Sequence, residues 1–215
     1  MMKLLKKEVV LSMHPTAVIM LLLSVMVLIP NYPYTVIFFY TALSVFFTCL
    51  AGRENNDISY TLTLPIAKKD IVKGRMGFVV LQELLQLVLM IPFIILSARI
   101  NPMGNQAGTD ANLALLGIGF LIYAVFNYTF FTQYYKNVNQ IGKSFVLSSV
   151  IIFVLVALEV VCSYVVPYFS DYVDTPGFDY LPSKLAVLFI GLGLYIVVTL
   201  AAYRKSVTLF LKQDL

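Results

Sequence analysis

Arg53-Glu-Asn-Asn-Asp-Ile-Ser-Tyr-Thr-Leu-Thr-Leu-Pro-Ile-Ala-Lys-Lys-Asp-Ile-Val-Lys-Gly-Arg75 interrupts two apolar runs, residues 33–51 and 76–98, each of bilayer length. The interruption carries five of the fifteen Lys and Arg residues and three of the eleven Asp and Glu residues. A segment this long and mixed in sign, held between two membrane-length runs, suits contact with another protein rather than with lipid. It also divides the chain into short hydrophilic turns and long apolar segments, and that division decides the fold.

Working outward, 60% of the chain is hydrophobic and 12% is charged, with a mean hydropathy of +0.88. Soluble domains carry about 25% charged residues, so the chain reads as an integral membrane protein. Its 215 residues leave room for about six helices of roughly 20 residues, and for no separate soluble catalytic domain. The apolar runs predict six spans, at residues 16–29, 33–51, 76–98, 112–133, 144–166 and 184–203. The first is short. Membrane β-strands would alternate polar and apolar residues; the run 146–158 does not, so the expected class is all-α, in one domain of residues 1–215.

Charge sets the orientation. With the N-terminus inside, the inner segments hold thirteen Lys and Arg residues, and the outer segments hold only Arg99 and Lys184. The positive-inside bias predicts that both termini are cytoplasmic. Asp110, Asp171, Asp174 and Asp179 fall on the outer side. Lys3, Lys6 and Lys7 ahead of an apolar run resemble a signal peptide, but no small-residue cleavage pattern follows. The expectation is a retained segment, residues 1–13, lying as an interfacial elbow helix. Leu4, Leu5 and Val9 would face one side and the three lysines the anionic headgroups.

Most chemical motifs fail. Gly142-Lys143-Ser144 lacks the glycine that a phosphate-binding loop needs five residues earlier, where Asn137 stands. Asn127-Tyr128-Thr129 is a glycosylation sequon inside a predicted span. Gly104 and Gly108 have helix-dimer spacing, but in an outer loop. One histidine, His14, with Cys49 and Cys162 cannot build a metal site or a Cys–His nucleophile pair. The two cysteines fall at opposite ends of their spans, beyond disulfide reach. No catalytic, metal or cofactor-binding residue is expected.

Glu83 and Glu159 are ionisable residues inside predicted spans, where such groups commonly face a bundle interior or water. Gln82 and Gln86 accompany Glu83 near the inner end of its span. Tyr123, Asn127, Phe130 and Tyr134 follow one another at helical spacing. A candidate substrate cavity therefore comprises Gln82, Glu83, Gln86, Tyr123, Asn127 and Glu159; packing is the plainer reading of the aromatic stripe, and snorkelling that of Glu83.

Within the charged interruption, Glu54, Asn55, Asn56 and Asp57 offer caps and negative charge to a helix N-terminus. Pro65 disfavours helix at Leu64. A short helix over 54–63 is predicted, with Ile58, Thr61 and Leu62 on one face. Beyond the Pro65-Ile66 turn a second helix begins near Ala67 and places Lys68, Lys69, Lys73 and Arg75 in the inner headgroup layer. A short helix held just below the bilayer can pass motion between a soluble motor and the spans.

At these residues the chain resembles the ABC-2 type permeases of ATP-binding-cassette transporters. The resemblance rests on an acidic residue about ten positions before Leu64-Pro65-Ile66, the basic pair Lys68-Lys69, then Ile71-Val72 and further basic residues. The closing Ser206-Val-Thr-Leu-Phe-Leu-Lys-Gln-Asp-Leu215 is similar to the terminal segment of small bacterial members, and among those to the permeases of phenol-soluble modulin exporters. Lys68-Lys69 departs from the family only in lacking Arg.

The resemblance implies a six-span half-transporter in a bacterial cytoplasmic membrane, with an elbow helix and a coupling helix over 54–64. Glu54, Asp57, Ile58, Thr61, Leu62, Leu64 and Pro65 would meet a separate cytoplasmic ATPase subunit that holds the ATP and magnesium. A second permease copy, identical or not, would complete the substrate path. The expected cargo is amphipathic, such as a cationic peptide toxin or antimicrobial peptide, and no nucleic acid is involved. The alternative is a self-sufficient secondary transporter or channel whose cytoplasmic loop is regulatory; a membrane-embedded enzyme lacks its chemistry.

Overall fold

The computed structural model describes residues 6–213, and every regular element among them is helical. A single wide turn, α1 (Glu8–Ser12), is closed by the Met13 amide donating to the Glu8 carbonyl at 2.8 Å, an i→i+5 bond. There follow α2 (Thr16–Leu22), prolonged as a 3₁₀ segment over Leu23–Leu28, then α3 (Val36–Glu54), α4 (Asp57–Leu62) and α5 (Lys68–Ile100). The second half comprises α6 (Leu113–Tyr134), α7 (Ile141–Val165), the short α8 (Pro167–Tyr172) and α9 (Leu181–Leu211).

Five of these, α3, α5, α6, α7 and α9, are long and apolar enough to cross a membrane. The first predicted span is not. Seven α-helical residues and six 3₁₀ residues rise about 22 Å, against roughly 30 Å of hydrocarbon. The chain turns after it at Asn31, which takes a left-handed conformation (φ 54°) between Pro30 and Pro33. This short helix packs on α3 and α5.

Helix α6 is the centre. It is the most deeply buried of the five, with the others arranged around it. Phe126, Phe130 and Tyr134 stack at one-turn intervals, with ring centroids 5.0 and 5.8 Å apart, so the aromatic stripe is packing. The most extensive helix contact joins α6 to α9, because both backbones carry glycine where they meet. A Cβ on Gly117 would lie 2.5 Å from the Val187 carbonyl oxygen, and one on Gly191 would collide with the Gly117 carbonyl oxygen. Close backbone approach through small residues is how membrane helices gain dispersion contacts where lipid supplies no hydrophobic drive.

Helix ends differ from the expected ones where charge follows an apolar run. Hydropathy marks the lipid boundary, but helical hydrogen bonding continues past it. Helix α9 thus runs on to Leu211 through most of the terminal segment, whereas α5 starts at Lys68, next to the expected start near Ala67. Likewise α3 continues to Glu54, so Glu54 ends one helix instead of starting the next. Asn56, expected as a cap, takes the left-handed conformation (φ 51°) that Asn tolerates better than most side chains. It turns the chain into α4 without making a side-chain capping bond. The αL residue replaces the predicted cap. At the other end of the molecule, the Asn112 side chain caps α6 by accepting from the Ala114 and Leu115 amides. Cys49 and Cys162 are free.

Gly191→Leu should separate α6 from α9, since four heavy atoms beyond hydrogen cannot enter a backbone contact. Thermal unfolding in detergent should fall by well over 5 °C, as overpacking costs about 1–3 kcal/mol or more. Gly193, whose added Cβ would meet nothing within 4 Å, should tolerate Leu. Equal melting temperatures for the two variants would refute the contact.

Candidate functional site

Both described ends of the chain meet at one end of the bundle. Lys7 reaches α4 there, and the Lys68 ammonium donates to the Gln213 carbonyl at 2.7 Å. Four ionised side chains are gathered at this terminal end. The Arg75 Nε lies 2.7 Å from the Glu8 carboxylate, and its Nη2 pairs with Asp57. The Lys7 ammonium lies 2.5 Å from Asp57 and 3.3 Å from Glu8, and donates to the Thr61 hydroxyl at 2.9 Å. Two cations and two anions cancel, which is the condition for burying them. Gly52 on α3 leaves the room: a Cβ there would stand 3.3 Å from the Arg75 guanidinium. The network ties α1, α4 and α5 together with α3 as its wall.

This arrangement corrects the sequence reading in three respects. Met1–Leu5 lie outside the described residues; Lys6 is exposed, whereas Lys7 turns inward to pair with Asp57 on α4. Arg75, expected among headgroups, is 3% exposed. Asp57, expected as a helix cap facing a partner, points into the protein. Burial pushes its carboxyl up, but the Arg75 guanidinium and the Lys7 ammonium outweigh burial and hold it below the ordinary carboxylate value. Glu8, the only acid in a basic stretch, and Arg75, one turn beyond Ile71-Val72 on a buried face, were the missed partners. A lone acid amid lysines was the available signal.

Helix α4 consequently has two faces. Ile58, Thr61 and Leu62 do share one, as expected, and it packs against the core. The opposite side exposes Ser59, Tyr60, Thr63, Leu64 and Pro65, with Tyr60 63% and Leu64 41% exposed. Glu54 is exposed at the end of α3. A cleft beside α4, lined by Gly52, Arg53, Asn56, Ser59, Tyr134 and Asn139, opens toward the α6–α7 loop.

Deeper in the bundle runs a seam of polar side chains. Glu83 lies near the middle of α5, farther from the terminal end than the apolar run implied, because the helix begins eight residues before that run. Its Oε2 accepts from the Tyr195 hydroxyl at 2.6 Å and from Asn127 Nδ2 at 3.0 Å. Gln82 donates to Ser44, and Gln86 donates to Ser24 at 2.9 Å. With Tyr123 these side chains are all buried. Five of the six candidate cavity residues are thus brought near one another, packed between helices. Tyr195 and Ser24 join them unforeseen, since single polar residues in apolar runs look incidental.

Glu159 does not join them. Its Oε1 accepts from the Thr109 amide at 2.6 Å and from the Thr109 hydroxyl, and its Oε2 from Thr35 at 3.1 Å. It pins the loop between α5 and α6 to α7 and to the start of α3. Gly108 (φ 127°) lets the loop approach, since an added Cβ would stand 3.2 Å from the carboxylate. Neighbouring bonds complete the lid at this far end: the Asp110 amide donates to Asp174 at 2.7 Å, and the buried Lys184 ammonium donates to the carbonyls of Thr175 and Gly177. Burial raises the Asp174 carboxyl to about 7.

Compared with known proteins, residues 3–210 match a family model described as ABC-2 family transporter protein. No curated protein and no solved structure matches the chain.

Arg75→Met keeps the volume but leaves Glu8 and Asp57 with a single cation between them. Breaking a buried ionic cluster costs about 3–5 kcal/mol, so the melting temperature should drop by several degrees and protease sensitivity should appear near α4. Because the Asp57 pKa is depressed in the folded protein, its contribution is present above the ordinary carboxylate value and is lost as pH falls below it. In the wild type, hydrogen exchange of α4 should accelerate below about pH 4. Unchanged stability in Arg75→Met would dismiss the network.

Proposed function

The chain belongs to the ABC-2 family of transporter proteins, and from that premise we propose that this permease subunit couples ATP hydrolysis by a separate ATPase to export of an amphipathic cargo. The observation that carries the reading is α4. A six-residue helix too short to stabilise itself is held by a neutralised ion cluster on one face, while Tyr60 and Leu64 stand exposed on the other. A partner pressing on that exposed face moves α1 and α5 with it, because Asp57 is bound to Lys7 and Arg75. The ATPase therefore docks on Ser59, Tyr60, Thr63, Leu64 and Pro65, beside the cleft shared with the α6–α7 loop. Asp57, Ile58, Thr61 and Leu62 transmit rather than touch.

Under this reading the terminal end is cytoplasmic, as the basic bias requires, α1 is the elbow, and the short helix α2 with its 3₁₀ extension counts as the sixth span, reaching only part-way across. The membrane is a bacterial cell membrane, and a second permease copy completes the path. At the outer end Tyr168, Tyr172, Phe178 and Tyr180 are exposed beside Asp171 and Asp179. An aromatic rim with negative charge suits a cationic amphipathic peptide. The acids that could attract it are these two, since Glu83 and Glu159 are occupied by internal hydrogen bonds. Movement between two exposures of the dimer would then follow ATPase closure.

Tyr60→Asp and Leu64→Asp should abolish co-purification of the ATPase and stop export, with the permease's melting temperature within about 2 °C of wild type. Ile58→Asp should act the other way round, lowering stability first, because it buries a charge against the core. Retained ATPase binding in both exposed-face variants refutes the docking face; a protein that transports with no ATPase present is instead a secondary transporter or channel.

Orientation has a separate check. Cysteines introduced at Asn105 and at Asp174 should react with an impermeant thiol reagent added to intact cells, and one at Lys69 should react only after lysis. Labelling of position 69 from outside would invert the topology.

A further inference from the structure

Glu83 is 1% exposed and sits in mid-helix, and among the described residues no Lys, Arg or His forms an ion pair with it. Its two hydrogen-bond donors, the Tyr195 hydroxyl and Asn127 Nδ2, both address Oε2. Oε1 has no hydrogen-bond partner among the described residues, and neither has Asn127 Oδ1. Asn127 Nδ2 also donates to the Thr199 hydroxyl at 3.3 Å.

The groups facing this carboxyl are Tyr195 and Thr199 from α9 and Tyr123 and Asn127 from α6. The adjoining seam adds Ser44 from α3 and Ser24 from the 3₁₀ segment. The two phenols are the only titratable groups among these. Arg75, in the nearest cluster of charges, is eight residues away along α5, about 12 Å, and is itself neutralised by Glu8 and Asp57. A carboxylate here would be an uncompensated anion among apolar helices. A carboxylic acid resolves both problems. Protonation removes the uncompensated charge and gives Oε1 a donor of its own, while Oε2 still accepts from Tyr195 and Asn127.

We propose that Glu83, Asn127 and Tyr195 form an intramembrane proton-binding site, in which Glu83 carries the proton on Oε1, the oxygen that neither neighbour addresses. The site holds the proton while the seam is dry. Separation of α5 from α6 and α9 would admit water and release the proton, and closure would take one up. This linkage does not depend on which cargo is moved or on where an ATPase docks.

The test uses the full chain in lipid vesicles and reads neither transport nor ATPase binding. Infrared difference spectra of wild type against Glu83→Gln at pH 7 should show a protonated-carboxyl C=O band that the variant lacks, unchanged when sodium chloride replaces potassium chloride. Glu83→Gln should melt like wild type, since a carboxamide offers the same donor and acceptor. As pH is raised the wild type should lose stability, because its folded form holds the extra proton, and Glu83→Gln should not. Should Glu83→Gln misfold, Tyr195→Phe serves instead: removing the donor to Oε2 must shift the frequency of the acid band. Ionised-carboxylate bands from Glu83 at pH 7, an acid band unmoved by Tyr195→Phe, or a saturable sodium- or potassium-dependent rise in melting temperature confined to wild type would each overturn the proposal. The last result would identify an alkali cation in the proton's place.

Discussion

A guanidinium buried in a junction of helices has to be neutralised where it stands, and much of the terminal end of this protein is arranged to do that for Arg75. Glu8 meets it through Nε, Asp57 through Nη2, and Lys7 balances the second acid. Remove the charge compensation and the desolvation of each partner is no longer repaid. The position of α4 follows from this constraint more than from its own helical preference, since six residues are below the length at which an isolated helix persists in water. The inward face of Ile58, Thr61 and Leu62 then packs against the core beside the network.

The same requirement, that no polar group be left to hydrocarbon, operates differently in the other two places. At the far end Glu159 is satisfied by a loop folded over it, with Thr109 supplying both amide and hydroxyl. In the seam, satisfaction is incomplete: both donors address one oxygen of Glu83, and the other has none. Two carboxyl groups in apolar helices thus have opposite characters. One fastens a loop, and the other stands half-satisfied between helices.

Membrane class, helical content and five of the spans were legible because hydropathy over some twenty residues is a sum, insensitive to any one side chain. The sixth was not, since 16–29 is apolar enough but too short, and length alone separates a span from a partial one. The helix start at Lys68 was legible from Pro65, but the end at Leu211 was invisible to hydropathy, which reports lipid contact and not hydrogen bonding. Asn56 was misread because Asn serves both as a cap and as an αL residue, and only the path of the chain chooses. The pairing of Glu8 with Arg75 joins residues sixty-seven positions apart, and no local pattern encodes it. Gln82, Glu83 and Gln86 were recognisable as a polar set within α5. Their partners Ser24, Ser44 and Tyr195 come from three other segments that only tertiary packing brings together.

The glycine contact between α6 and α9 has a mechanical meaning. Two helices joined backbone to backbone, and stitched again where Lys205 reaches the Tyr128 hydroxyl and Gln213 reaches the Tyr135 carbonyl, behave as a stiff beam. Under the proposed coupling, displacement delivered at α4 would be spent in shear along the seam, where α5 meets α6 and α9 through hydrogen bonds. The stiff element would then set the direction of travel, with the polar seam as the sliding surface.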